Sequence, residues 1–192
     1  RWLLEITQIP TVAGREHRVI DWITAWVAQR PELTLIADPS GNLVIQPRTP
    51  WGRGGAPIFI TAHLDHPAFT VERIISPTVI ELAFRGGVMD PYFERARVRI
   101  HPADGSAPTA ATLTGEGAGS GGAAPGPGAM FKTYLAELDR STQFRIGDTA
   151  TWELPAAEID NAGIVHTHAC DDLAALAAAL AAYDTLLNLV RA

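Results

Sequence analysis

Strong helical periodicity is confined to the two ends of this 192-residue chain, while the stretch from about residue 74 to 163 is written in short β-type runs. That interruption predicts a discontinuous fold. Residues 1–73 and 164–192 would build one α/β unit, and residues 74–163 a small β-barrel or sandwich inserted into it. In the first segment GREHRVIDWITAWVAQ sets Val19, Ile20, Ile23, Trp26 and Val27 at helical spacing, with Arg15, Glu16 and Arg18 read as a solvated face and Pro31 as the stop. LTLIA and NLVIQ flank DPSGN, whose Pro, Gly and Asn supply turn chemistry for a hairpin. RTPWGRGGAP reads as a surface loop. APIFITAHLD then reads as a strand apolar on both faces, as at the centre of a helix-covered sheet.

Inside the insertion, TVIELAF, RARVRI, TAATLT and TATWEL are the strand candidates, and MFKTYLAEL alone has helical periodicity. GEGAGSGGAAPGPGA is too rich in Gly and Ala to pack a core, which predicts a mobile loop; it lacks the spacing and the strand-to-helix framing of a phosphate cradle. HTHACDDLAALAAALAAYDTLLNLVRA has high helix propensity, with Asp171 and Asp172 at its start. Asp184 and Asn188 interrupt its apolar run, which argues against a bilayer span. One covering helix on each side of the insertion makes only a partial α/β sheet.

Charge narrows the function classes. A formal charge of −6 and a pI near 5.4 leave no basic footprint for nucleic acid or an anionic membrane. The single cysteine, Cys170, rules out an internal disulfide, and RWLLEITQIP has no signal-type apolar region, so a cytoplasmic protein is expected.

The apolar run ends in HLDH, residues 63 to 66. Two apart on a strand end, His63 and Asp65 would share one side of the sheet, at the place where α/β sheets bind ligands. An imidazole with a carboxylate on its other nitrogen is the grammar of a metal site, although two residues make no coordination sphere and, taken alone, a polar loop after a buried strand explains them more readily. Asp171 and Asp172 carry the same ambiguity: a carboxylate at a helix start is stabilised there by free N–H groups, yet one of a pair can cap while the other faces a cation. His166 and His168 read as packing or hydrogen-bonding residues, and His17 and His101 have no assigned chemistry. Cys170 reads as a small buried residue rather than a nucleophile.

In this order, LLEITQIPTVAGREHRVIDWI, DPSGNLVI, ITAHLDHPAFTV, the barrel-type pieces GGVMDPYFERARVRI and RIGDTATWE, and HACDDLAALAAAL resemble the glutamyl and tetrahedral aminopeptidase family of cocatalytic zinc exopeptidases. The resemblance implies a partial zinc-exopeptidase-type α/β sheet with an inserted β-barrel, and a peptide substrate cleaved at its N-terminus by water activated on two divalent metals. It makes His63 a metal ligand, Asp65 the catalytic-site carboxylate that orients it, Asp171 the ligand bridging two metals, and Asp172 its support in a turn where the family often has an unusual peptide bond. Zinc is the expected metal, with cobalt or manganese as alternatives. Homo-oligomers assembled through the inserted domain are implied as well. The family's general-base Glu and remaining ligands belong beyond the Asp-Asp helix, so this chain alone is expected to be inactive. His66 and Pro67 depart from the family pattern. Two other classes stay open: a non-catalytic relative serving assembly or binding, and an amidohydrolase acting on a non-peptide substrate.

Overall fold

The computed structural model describes residues 1–51, 56–119 and 131–191. The amphipathic pattern near the N-terminus forms helix α2 (His17–Ala28), following the short α1 (Trp2–Ile6), and Val19, Ile23, Trp26 and Val27 are buried as their spacing requires. They share a core with Ile6, with Leu33, and with Leu173, Leu176, Ala177, Leu180 and Leu187 of the last helix. The hairpin forms as β1 (Leu33–Ala37) antiparallel to β2 (Leu43–Pro47). Its turn is closed by Asp38, whose Oδ1 accepts the N–H groups of Ser40 and Asn42 at 2.8 and 2.9 Å, and Gly41 takes the φ of +89° that the turn demands.

The apolar run APIFITAHLD forms no strand, contrary to its patterning. Ile58, Phe59 and Ile60 are 91%, 75% and 68% exposed. A strand exists only through ladder hydrogen bonds to a neighbour, and none of the described strands lies beside this run. The expected α/β sheet is therefore represented among the described residues by the β1–β2 ladder alone, flanked by helices.

The inserted region does form a barrel. Strands β3 (Ala68–Ser76), β4 (Val79–Arg85), β5 (Arg97–His101), β6 (Thr109–Glu116), β7 (Thr133–Leu138) and β8 (Thr149–Trp152) close in the order β3-β4-β7-β6-β5-β8, antiparallel throughout. Closure removes the exposed edges that would template association. Alternation fills the interior: on β5, buried Val98 and Ile100 alternate with exposed Arg97 and Arg99. At the centre Phe69 meets Phe84, Phe93, Tyr134 and Trp152, and Phe93 stacks on Tyr134 at 4.5 Å. MFKTYLAEL, read as helical, supplies β7 instead. Tyr134, Ala136 and Leu138 point inward at period two between β4 and β6, and that pairing overrides a weak helical pattern. The carboxylate of Glu81 is buried but satisfied by Arg73 at 2.6 Å, the Thr133 hydroxyl at 2.7 Å and the Gly119 N–H at 3.2 Å. The expected mobile loop begins within β6; its residues 120–129, with Met130 that follows and 52–55 of the earlier surface loop, lie outside the described residues.

The barrel is tied to the helical part by arginines. Arg18, expected to be solvated, instead donates to the carbonyls of His101 and Pro102 at 3.2 and 2.8 Å, because α2 lies against the barrel rather than facing water on that side. Arg85 returns the contact with a 2.9 Å bond to the Ala13 carbonyl. A two-residue ladder, β9 (Glu158–Ile159) with β10 (Val165–His166), leads to α3 (Cys170–Arg191). By length and composition α3 could cross a bilayer. Here one stripe of it joins the α2 core, and Asp184 pairs at 2.7 Å with Arg30, whose guanidinium lies 3.6 Å from the Trp26 ring centre. Cys170, expected to be buried, is exposed; its neighbour Ala169 takes the buried position.

Candidate functional site

Two segments distant in sequence meet where the HLDH stretch reaches the start of α3. Each is pinned to the α1–α2 connection: the Thr11 hydroxyl donates to the Leu64 carbonyl at 2.9 Å, and the hydroxyls of Thr7 and Thr167 hydrogen-bond to each other. His63 Nδ1 lies 3.1 Å from Asp65 Oδ1 and 3.2 Å from the Asp65 carbonyl. Both are acceptors, so Nδ1 carries the hydrogen and Nε2 of the neutral ring carries the lone pair. That Nε2 faces Asp171 Oδ1 at 3.3 Å. The His63 backbone N–H donates to Asp172 Oδ2 at 3.1 Å, and His66 Nδ1 donates to the Asp171 carbonyl at 3.1 Å. His63, Asp65, Asp171 and Asp172 are thus brought together, although His63 and Asp65 meet within a stretch without regular secondary structure and not across a strand face.

The Asp171–Asp172 peptide is cis, and Asp171 (φ −94°, ψ 101°) stands outside the helical region. The site is open: the Asp171 side chain is 93% exposed and that of His63 52%. The His63 pKa is raised; slight burial works to lower it, but the charge of Asp65, the hydrogen bond to Asp171 and the charge of Asp172 outweigh that effect. Among the described residues no group of three or more His, Cys, Asp or Glu side chains is arranged to hold a metal ion. The remaining histidines stand apart. His166 pairs with Asp160 at 3.0 Å, His168 bonds the Pro155 carbonyl, His17 opens α2, and His101 bonds the Thr151 hydroxyl on the barrel.

Sequence reasoning gave no role to His66 or Thr11. For His66 a signal existed, three residues beyond His63 in one polar run. For Thr11 there was none, since its partner is a carbonyl 53 positions away.

The fold that carries this site is that of known aminopeptidases. Aminopeptidase APDkam598 from the archaeon Desulfurococcus kamchatkensis superposes on 95% of the chain with a TM-score of 0.70 at 20% identity. The TET1 peptidase of Pyrococcus horikoshii, which can assemble into a tetrahedron or a large octahedral shell, matches 97% with a TM-score of 0.70 at 20% identity. PhTET1-12s, a dodecamer, matches 94% with a TM-score of 0.70 at 19% identity. The chain covers 53%, 50% and 56% of the PhTET1-12s, APDkam598 and TET1 chains, about half the length of each. No protein-family model and no curated protein sequence matches it.

Proposed function

We propose that the protein carrying this sequence is a metal-dependent hydrolase, an aminopeptidase that removes N-terminal residues from peptides. One observation carries the reading: two acceptors, His63 Nε2 and Asp171 Oδ1, face each other at 3.3 Å with Nδ1 already committed to Asp65. Lone pairs in that arrangement need a proton or a cation between them. Two ligands of one tetrahedral zinc, with bonds near 2.1 Å, stand about 3.4 Å apart, so the donor set fits a divalent ion. His63 and Asp171 would hold it, Asp171 being shared with a second ion. Zinc, cobalt and manganese all suit these donors, and the family resemblance makes zinc the expected one. Such an ion, when bound, lowers the pKa of a water and polarises a scissile carbonyl.

The chain's own residues contribute orientation. Asp65 keeps the hydrogen on His63 Nδ1 and so aims Nε2, and Asp172 fixes the His63 backbone. The general base and the remaining ligands are assigned to none of the 192 residues, so this chain alone is expected to be inactive. A homo-oligomer built through the barrel, a cytoplasmic location, and the absence of nucleic-acid and membrane partners belong to the same proposal. The similarity to peptidases that form dodecameric, tetrahedral or octahedral assemblies supports the oligomer.

One rival is a fold relative that assembles without catalysing. Hydrolysis of unblocked peptides by the natural protein separates the two. Removal of a metal ligand forfeits several kcal/mol of transition-state stabilisation, so His63→Ala and Asp171→Ala should each lower kcat/KM about 100-fold or more. Activity within a few-fold of wild type in either variant would defeat the proposal.

A further inference from the structure

We propose that His66 is a positioning residue for Asp171. The inference rests on the metal reading only for what Asp171 is positioned to do. The Asp171 side chain is 93% exposed, and among the described residues its carboxylate has a single hydrogen-bond partner, His63 Nε2. An exposed carboxylate with one contact has no packing to select its rotamer, so its aim follows from how its backbone is held. That backbone lies outside the helical region, at the very start of α3. Its carbonyl accepts a hydrogen bond from His66 Nδ1 at 3.1 Å, across 105 residues of chain. A carbonyl can only accept, so His66 is the Nδ1–H tautomer.

His66 is itself fixed from the barrel side. Pro67, which follows it, restricts His66 to extended backbone. Pro67 also presses on the backbone of Gly86 just past β4, where an added Cβ would stand 2.7 Å from the Pro67 Cβ and 2.8 Å from its Cα. Gly86 takes a φ of +143°, so both the space and the conformation call for glycine. The barrel thus holds Pro67, Pro67 sets His66, and His66 holds the Asp171 peptide. With the His63 N–H bonded to Asp172 Oδ2, two cross-links join the HLDH segment that carries His63 to the start of α3 that carries Asp171.

The test compares the 192-residue wild type with His66→Ala, which removes the donor, and His66→Asn, whose amide N–H can stand in for Nδ1–H. Long-range ¹⁵N–¹H spectra read the imidazole tautomers without any metal. Cobalt titration, followed by visible absorption, reads the site, with His63→Ala as the control for the metal reading. The expected results are an Nδ1–H tautomer for His66, an Asp171 carboxyl-carbon shift that moves in His66→Ala and returns in His66→Asn, and cobalt affinity about 10-fold weaker in His66→Ala and restored in His66→Asn. An Nε2–H tautomer, or an Asp171 resonance unmoved in His66→Ala, would overturn the proposal whether or not cobalt binds. Wild-type cobalt affinity in His66→Ala, beside its loss in His63→Ala, would overturn it while leaving the metal reading intact. Absence of cobalt binding in wild type would leave the carboxyl-carbon shift to decide the role of His66.

Discussion

His101 should make the junction between α2 and the barrel sensitive to acid. The ring is largely buried at the end of β5, with Nε2 bonded to the Thr151 hydroxyl at 3.0 Å, and Arg18 and Arg99 are the charged groups bearing on it. Burial first, and then those two guanidiniums, push its pKa down from 6.5 to about 4. In the unfolded chain the ring takes up a proton as pH falls through the ordinary value, while the folded protein resists until about pH 4. Between those limits the unfolded state binds more protons, so stability falls as pH falls. At about 1.4 kcal/mol for each tenfold change in proton affinity, the full descent from 6.5 to about 4 is worth about 3 kcal/mol. Arg18 adds to the consequence, because its guanidinium is anchored on the carbonyls of His101 and Pro102. The assay is urea denaturation of wild type and His101→Gln over a series of pH values from neutral to about 4, by which most of the linkage has been expressed. The wild-type curve should lose stability more steeply than the variant, the two diverging by about 3 kcal/mol at the acid end while other titrating groups cancel. Parallel curves would refute the placement of a neutral, desolvated imidazole at this junction.

Two further outcomes follow from packing. Phe69 is fully buried and touches four aromatic rings in the barrel, so Phe69→Ala should cost about 3–5 kcal/mol, read as a lowered urea midpoint with the slope unchanged. The apolar run at Ile58, Phe59 and Ile60 is exposed without a strand partner, a surface prone to association. Ile58→Lys with Ile60→Lys should therefore raise the concentration at which the chain begins to aggregate in light scattering, with no loss of barrel stability.

How much of this was legible in the sequence differs from element to element. Val19, Ile23, Trp26 and Val27 announced α2 because one helix face carries its own period, and the DPSGN turn announced the hairpin because its chemistry is local. The run at residues 56–65 shows where that kind of reasoning stops. Its patterning was that of a central strand, but a strand depends on partners that its own residues cannot specify. β7 failed in the opposite direction, a weak helical pattern overruled by two neighbouring strands. At the site, the four residues singled out by motif and resemblance do come together. The cross-link from His66 to a backbone carbonyl was invisible, since a carbonyl acceptor leaves no mark on side-chain identity. Arg18 was misplaced because a charged residue on a helix face reads alike whether water or another domain's carbonyls lie opposite.

The central claim is that His63 and Asp171 face each other across the position of a divalent cation. It is tested most directly by elemental analysis of the natural protein after zinc loading and desalting, with His63→Ala treated in parallel. Zinc retained by wild type and lost in His63→Ala is the predicted result. Equal zinc in the two proteins, or none in either, would contradict it.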